Sequence, residues 1–197
     1  MAPETPTRVV IAEDEAIIRL DLKELLEEEG FTVVAETGRG DEAVELVRSL
    51  RPDLAILDIK MPGLDGLAAA RQITADRLAA VLVLTAFSQR DLVEQARDAG
   101  AMSYIVKPFQ KSDLIPAIEI ALGRHAELQS LEDEVSDLAD RLEARKTIDR
   151  AKGVLMDKHG QSESDAFRFL QKEAMNRRTK VHEVAELVLK GELAPAP

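Results

Sequence analysis

Asp53-Leu-Ala-Ile-Leu-Asp-Ile-Lys-Met-Pro-Gly63 opens as an aliphatic run and meets a carboxylate at Asp58. Four comparable runs recur along the chain: Arg8-Val-Val-Ile-Ala12, Phe31-Thr-Val-Val-Ala35, Ala80-Val-Leu-Val-Leu84 and Met102-Ser-Tyr-Ile-Val106. Several are apolar nearly throughout, as strands buried on both faces of a parallel sheet should be. Between them lie helical patterns, for example Ile17, Leu22, Leu25 and Leu26, with Gly30 as the stop signal. Five strand–helix units of about 20–25 residues predict an α/β architecture with a doubly wound, five-stranded parallel sheet. In such sheets the ligand site lies outside the carboxyl ends of the strands.

After the sheet the pattern changes. A fifth helix is expected to begin at Ser112 as N-cap, with Pro116 in the first turn, where a missing N–H costs little. Leu128, Leu131, Val135, Leu138 and Leu142 then follow a 3, 4, 3, 4 spacing, a heptad seam that Arg145 ends. The seam predicts either a dimer-forming helix or a face packed on the chain's own domains. Its narrowness and its acidic flanks favour the dimer. Three short helices are expected over roughly 145–158, 163–176 and 181–190. His159-Gly160 stops the first, Ser162 caps the second with Asp165 in its first turn, and Asn176 to Thr179 forms a polar break. Leu193-Ala-Pro-Ala-Pro197 reads as a frayed tail. The division is thus residues 7–123 for the sheet domain, 124–146 for a coiled-coil linker helix and 147–190 for a small three-helix all-α domain.

Composition removes several function classes. The 197 residues include no cysteine, which excludes a disulfide framework, a thiol nucleophile and a thiolate metal site. His125, His159 and His182 show no metal-ligand spacing. No apolar run approaches the ~18 residues of a spanning helix. Met1 to Arg8 lacks both a basic and an apolar leader region, so a soluble, cytoplasmic protein without a membrane partner is expected. The net charge of -11 hides a gradient: residues 1–121 hold 13 Lys and Arg against 22 Asp and Glu, while residues 144–182 hold 10 against 5. An acidic chain thus carries a basic island near its end.

The carboxyl ends of the runs carry the chemistry. Glu13 and Asp14 follow the first, Asp58 the third, Thr85 the fourth, and Lys107 the fifth, just before Pro108. Converging carboxylates repel each other and call for a cation, and oxygen-only ligands favour Mg²⁺. A carboxylate nucleophile, a metal, a hydroxyl donor and a fixed cation make a kit for phosphoryl transfer onto an Asp. A cis Lys107–Pro108 bond would aim the lysine into that site. Residues 7–123 resemble a response-regulator receiver domain through Val10-Ile-Ala-Glu-Asp-Glu15, Leu57-Asp-Ile-Lys-Met-Pro-Gly63, Leu84-Thr-Ala86 and Tyr104-Ile-Val-Lys-Pro-Phe109. The resemblance implies a flavodoxin-like fold, with Asp58 as phospho-acceptor for a cognate sensor histidine kinase. It implies a Mg²⁺ site from Glu13, Asp14, Asp58 and the Lys60 carbonyl. It also implies a switch pair of Thr85 and Tyr104, and Lys107 as the phosphate-contacting cation.

Residues 147–189 resemble the ANTAR output domain of transcription antitermination regulators. The matching stretches are Ile148-Asp-Arg-Ala-Lys-Gly-Val-Leu-Met156, Asp165-Ala-Phe167, Leu170, Glu173-Ala-Met175 and Val184-Ala185. That resemblance implies RNA hairpin loops in nascent transcripts as target, and antitermination as outcome. Among the residues themselves, Lys146 and Arg150 share a helix face at i, i+4, as do Arg168 and Lys172; Lys152 joins them, and Arg177, Arg178 and Lys180 cluster in the next turn. Together they form the expected RNA-binding footprint. Gly153 within a helix is expected to allow a close backbone approach, best explained by packing on the third helix. Ile148, Ala151 and Leu155 make one expected core face and Phe167, Leu170 and Ala174 another, with Met156 and Met175 as core filler. The chain is read as a regulator, not an enzyme, and as a homodimer on phosphorylation through residues 128–142. The alternatives are a DNA-binding response regulator and a relay that docks an acidic protein.

Overall fold

The computed structural model describes residues 6–86 and 90–195. The chain divides into two compact units between Gln129 and Ser130. The first holds five strands: β1 (Arg8–Ala12), β2 (Thr32–Thr37), β3 (Leu54–Asp58), β4 (Ala80–Thr85) and β5 (Ser103–Val106). They alternate with α1 (Ala16–Glu28), α2 (Gly40–Leu50), α3 (Gly66–Ala75), α4 (Arg90–Asp98) and the start of α5 (Lys111–His159). All pairings are parallel, in the order β2-β1-β3-β4-β5. This is the flavodoxin-like order, whose winding reverses between β1 and β3.

The period of two along each strand builds two cores at once. Val10, Ala12, Ala55, Leu57, Val81 and Val83 face α2, α3 and α4, where Val44, Val47, Ala69 and Ile73 meet them. Val9, Ile11, Leu54, Ile56, Leu82 and Leu84 face α1 and α5 and pack on Leu22, Leu26, Leu114 and Ile118. Each fully buried Leu or Ile contributes roughly 1.5–3 kcal/mol relative to exposure. Ile17, read with Leu22, Leu25 and Leu26 in the helical pattern of α1, is 77% exposed.

The second unit holds the rest of α5 with α6 (Glu163–Arg177) and α7 (Val181–Lys190). Its core is aliphatic and small: Ala151, Leu155, Ala166, Leu170, Ala174, Val184, Ala185 and Val188. Leu193 packs against this cluster, so the tail is anchored at that residue and not frayed from there; residues 196–197 of it lie outside the described residues, as do residues 1–5 of the leader stretch. Ser162 caps α6 as expected, its Oγ accepting from the Asp165 N–H at 3.2 Å. Gly160, with φ of +62°, follows the end of α5.

Three expectations are corrected here. The fifth helix, the linker and the first output helix are a single helix, because nothing between Pro116 and Gly160 breaks an α-helix strongly enough; Arg145 ends the seam without ending the helix. Ser112 is not its cap, for α5 starts at Lys111, and the Asp113 carboxylate accepts from the Gln110 N–H at 3.0 Å. Phe167 is not part of the core face, and Met156 and Met175 are not core filler: they are 39%, 40% and 80% exposed, since small residues on α6 already fill the contact with its neighbours. No helix among the described residues is long and apolar enough to cross a membrane.

Candidate functional site

Glu13 and Asp14 lie just beyond β1, and Asp58 is the last residue of the adjacent β3. Three carboxylates therefore meet at the sheet edge where the winding reverses, with ligand oxygens all within 4.8 Å of one another. Glu13 is wholly buried and Asp58 nearly so, whereas Asp14 is exposed. Lys107 enters from the end of β5, ahead of a Lys107–Pro108 bond that is cis. Its Nζ lies 2.6 Å from Glu13 Oε2 and 2.8 Å from Asp58 Oδ1. The Lys60 N–H donates to Asp58 Oδ2 at 3.1 Å, and the Glu15 N–H donates to Glu13 Oε1 at 3.2 Å. Buried Thr85 closes β4 beside them. Asp14, Asp58, Lys60, Thr85 and Lys107 share the lining of one cleft of about 360 Å³.

The electrostatics follow from burial. Desolvation pushes the Glu13 carboxyl above its ordinary value; the Lys107 hydrogen bond opposes this and the Asp58 charge adds to it. Burial works against the charge of Lys107, yet its hydrogen bonds to Asp58 and Glu13 together hold its ammonium above the usual lysine value. Three carboxylates and one ammonium leave an excess of negative charge that a divalent cation would offset. The cluster offers only oxygen donors, a set that fits a hard divalent cation such as Mg²⁺.

The structure thus brings together Glu13, Asp14, Asp58, Lys60, Thr85 and Lys107. Tyr104 stands apart: its ring is 46% exposed and lines a surface hollow with Arg97, Ile120 and Arg124 instead of the cleft. Sequence reasoning missed Gly66, the first residue of α3. A Cβ there would stand 1.9 Å from the Asp58 carbonyl oxygen, so only glycine lets α3 start against the backbone of Asp58. The signal was present in Asp65, which caps α3 by accepting from the Ala68 N–H at 2.8 Å and marks Gly66 as a glycine inside a helix.

The cationic side chains of the second unit fall into two groups. Lys152 lies 2.7 Å from Asp149 and 2.8 Å from Glu163, tying α5 to the start of α6. Lys146 pairs with Glu143 at 2.7 Å, Arg177 with Glu173 at 3.3 Å and Arg168 with Asp165 at 3.5 Å. Arg150, Lys172, Arg178 and Lys180 are exposed and have no such carboxylate among the described residues. Arg178 adopts the left-handed conformation with φ of 55° as C-cap of α6, a place where glycine is usual. Gly153 is corrected: a Cβ there would meet nothing within 4 Å, so no neighbouring helix explains it.

Comparison with known proteins agrees with both halves. A family model for the response regulator receiver domain matches residues 9–119, and one for the ANTAR domain matches residues 136–189. The transcriptional regulatory protein PdtaR of Mycobacterium tuberculosis is 60% identical over 93% of this chain and 90% of its own. Among solved structures, a DNA-binding response regulator of the LuxR family from Staphylococcus aureus superposes with a TM-score of 0.56 at 30% identity, covering 59% of this chain and 98% of that one. The CheX–CheY–BeF3–Mg²⁺ complex from Borrelia burgdorferi matches with a TM-score of 0.55 at 28% identity, over 57% of this chain and 87% of that one.

Proposed function

Because the chain belongs to the response regulators of two-component systems, with a receiver domain joined to an ANTAR domain, we propose that phosphorylation of Asp58 controls capture of RNA hairpins and so transcription antitermination. The observation that carries this reading is the placement of Asp58 in a cleft with two more carboxylates and Lys107.

An Asp58 carboxylate oxygen is the nucleophile toward the phosphorus of a kinase phosphohistidine. The O–P bond forms as the P–N bond breaks, and the imidazole leaves. The Lys60 N–H and Lys107 hold Asp58 in place, so little reorganisation is needed. Glu13, Asp14 and Asp58, with the Lys60 carbonyl, would hold Mg²⁺, which supplies charge neutralisation for the incoming phosphoryl oxygens. Lys107 then follows the new phosphate charge, Thr85 offers it a hydroxyl, and Tyr104 gives up its exposed position. The seam at Leu128, Leu131, Val135, Leu138 and Leu142 is 47–67% exposed, which favours a second copy as its cover.

The test is a gel shift of a hairpin RNA and a charge-matched duplex DNA, repeated across salt concentrations. Protein treated with a small phosphodonor should bind the hairpin more tightly than untreated protein, and Asp58→Asn should show no such gain. Preference for the duplex would favour DNA as target, and no binding to either would favour protein docking.

A further inference from the structure

Exposed side chains on α6 remain that the core does not use. Ala166, Leu170 and Ala174 turn inward. At about 100° per residue, Met175 lies about 180° round the helix from Ala166, with Arg168, Gln171 and Lys172 all within about 60° of it. These four form one line along the outer face, and all are exposed. Asp165 lies about 20° beyond the edge of this face at Lys172. Arg168 is held only by a 3.5 Å contact with Asp165, and Lys172 by no carboxylate among the described residues. Met175, at 80% exposure, contributes almost nothing to the fold where it stands.

We propose that this outer line of α6 is the edge that reads the RNA loop, with Arg168 and Lys172 on phosphates and Gln171 and Met175 on a base. The proposal rests on the reading that the second unit binds RNA. Charge complementarity selects the occupant, since two exposed cations, of which Lys172 has no carboxylate partner among the described residues, suit a polyanion. The two uncharged groups then match what an unstacked base offers. Gln171 carries a donor and an acceptor side by side, suited to a base edge. Met175 offers a flexible, polarisable thioether to a ring in a segment that has no Tyr or Trp to stack.

The experiment uses the full chain, treated with acetyl phosphate, and a pool of RNA hairpins with a fixed stem and randomised loop. Bound hairpins are sequenced. Wild type should enrich a loop motif. Gln171→Ala and Met175→Ala should lower enrichment at one loop position about tenfold, the scale of a lost base contact, with the salt dependence of binding unchanged. Lys172→Ala should weaken binding to all loops alike and flatten the salt dependence. Circular dichroism should be unchanged in each variant, since all three positions are exposed. Gln171→Ala and Met175→Ala enriching the wild-type motif to the wild-type degree would overturn the inference while leaving RNA binding intact. Failure of wild type to retain any hairpin would overturn the underlying RNA reading itself. Displacement of the bound hairpins by poly-glutamate at equal charge would reassign the face to protein docking.

Discussion

Glu13 is the most deeply buried member of the acidic cluster at the sheet edge. Its proton is held more tightly in the folded chain than in the unfolded one, mainly through desolvation. Without a cation, ionising Glu13 therefore costs fold stability; that cost is absent below the unfolded value near 4.5 and grows as pH rises through the folded value. A cation bound to the carboxylates relieves it. Added Mg²⁺ should raise the melting temperature at neutral pH and lose that effect on acidification, at a higher pH than a solvated glutamate would dictate. Calorimetric melting with and without Mg²⁺ across pH checks this; an effect of Mg²⁺ that is constant with pH, or equal in Glu13→Gln, would remove Glu13 from the metal site. Glu13, Asp14, Asp58, Thr85 and Lys107 were legible in the sequence because each ends or follows a strand, and parallel strands deliver their carboxyl ends to one edge. The exposure of Tyr104 was not legible. It depends on how the ring sits against neighbouring helices, which no local pattern encodes.

At the scale of elements, α5 is the largest departure from what the sequence pattern suggested. A seam is a tertiary pattern and ends when a position turns polar; a helix ends only where the backbone is broken or capped. Arg145 satisfies the first condition and His159-Gly160 the second, so the expected break near residue 145 has no physical cause. Replacing Leu131 and Leu138 by Lys puts charges on equivalent seam positions, and sedimentation of the phosphorylated variant should show folded monomers where the parent associates. Equal association of the two would assign dimerisation elsewhere. Gly153 gives an independent check. Its Cβ position is open, so Gly153→Ala should stabilise the protein by about 1 kcal/mol, the helix-propensity difference, and raise the unfolding midpoint. A lowered midpoint would mean that a neighbour does occupy that space. Capping was readable at Ser162, which shows a polar side chain one turn ahead of an apolar face, but the exposure of Phe167 and Met175 was not. Apolar spacing tells that a helix has an inner face, and small residues such as Ala166 and Ala174 can occupy it in place of the larger ones.

For the whole molecule, the separation of charge would set the conditions of the proposed RNA binding. Residues 1–121 are acidic and residues 144–182 basic, so affinity for RNA should fall with added salt more steeply than for a neutral ligand. Removing Lys146, Arg150, Arg168 and Lys172 together should flatten the logarithmic salt dependence by roughly 0.7 per lost single-strand phosphate contact. Fluorescence anisotropy titrations at several salt concentrations measure it, and an unchanged slope would place the phosphate contacts elsewhere on the chain. The gradient itself was plain from composition, whereas the occupation of Lys152 by Asp149 and Glu163 needed the geometry of two helices. The unbroken helix has one more consequence, for how the length of this chain can change. Leu142 on the seam and Ala151 in the core lie nine residues apart on the same helix, about 180° round it, so the two faces look in opposite directions. One residue inserted between them would turn one face by about 100° against the other, while seven would return it to within about 20°. Between residues 142 and 151 the chain behaves as a toothed shaft, able to lengthen by whole heptads and jammed by any single residue.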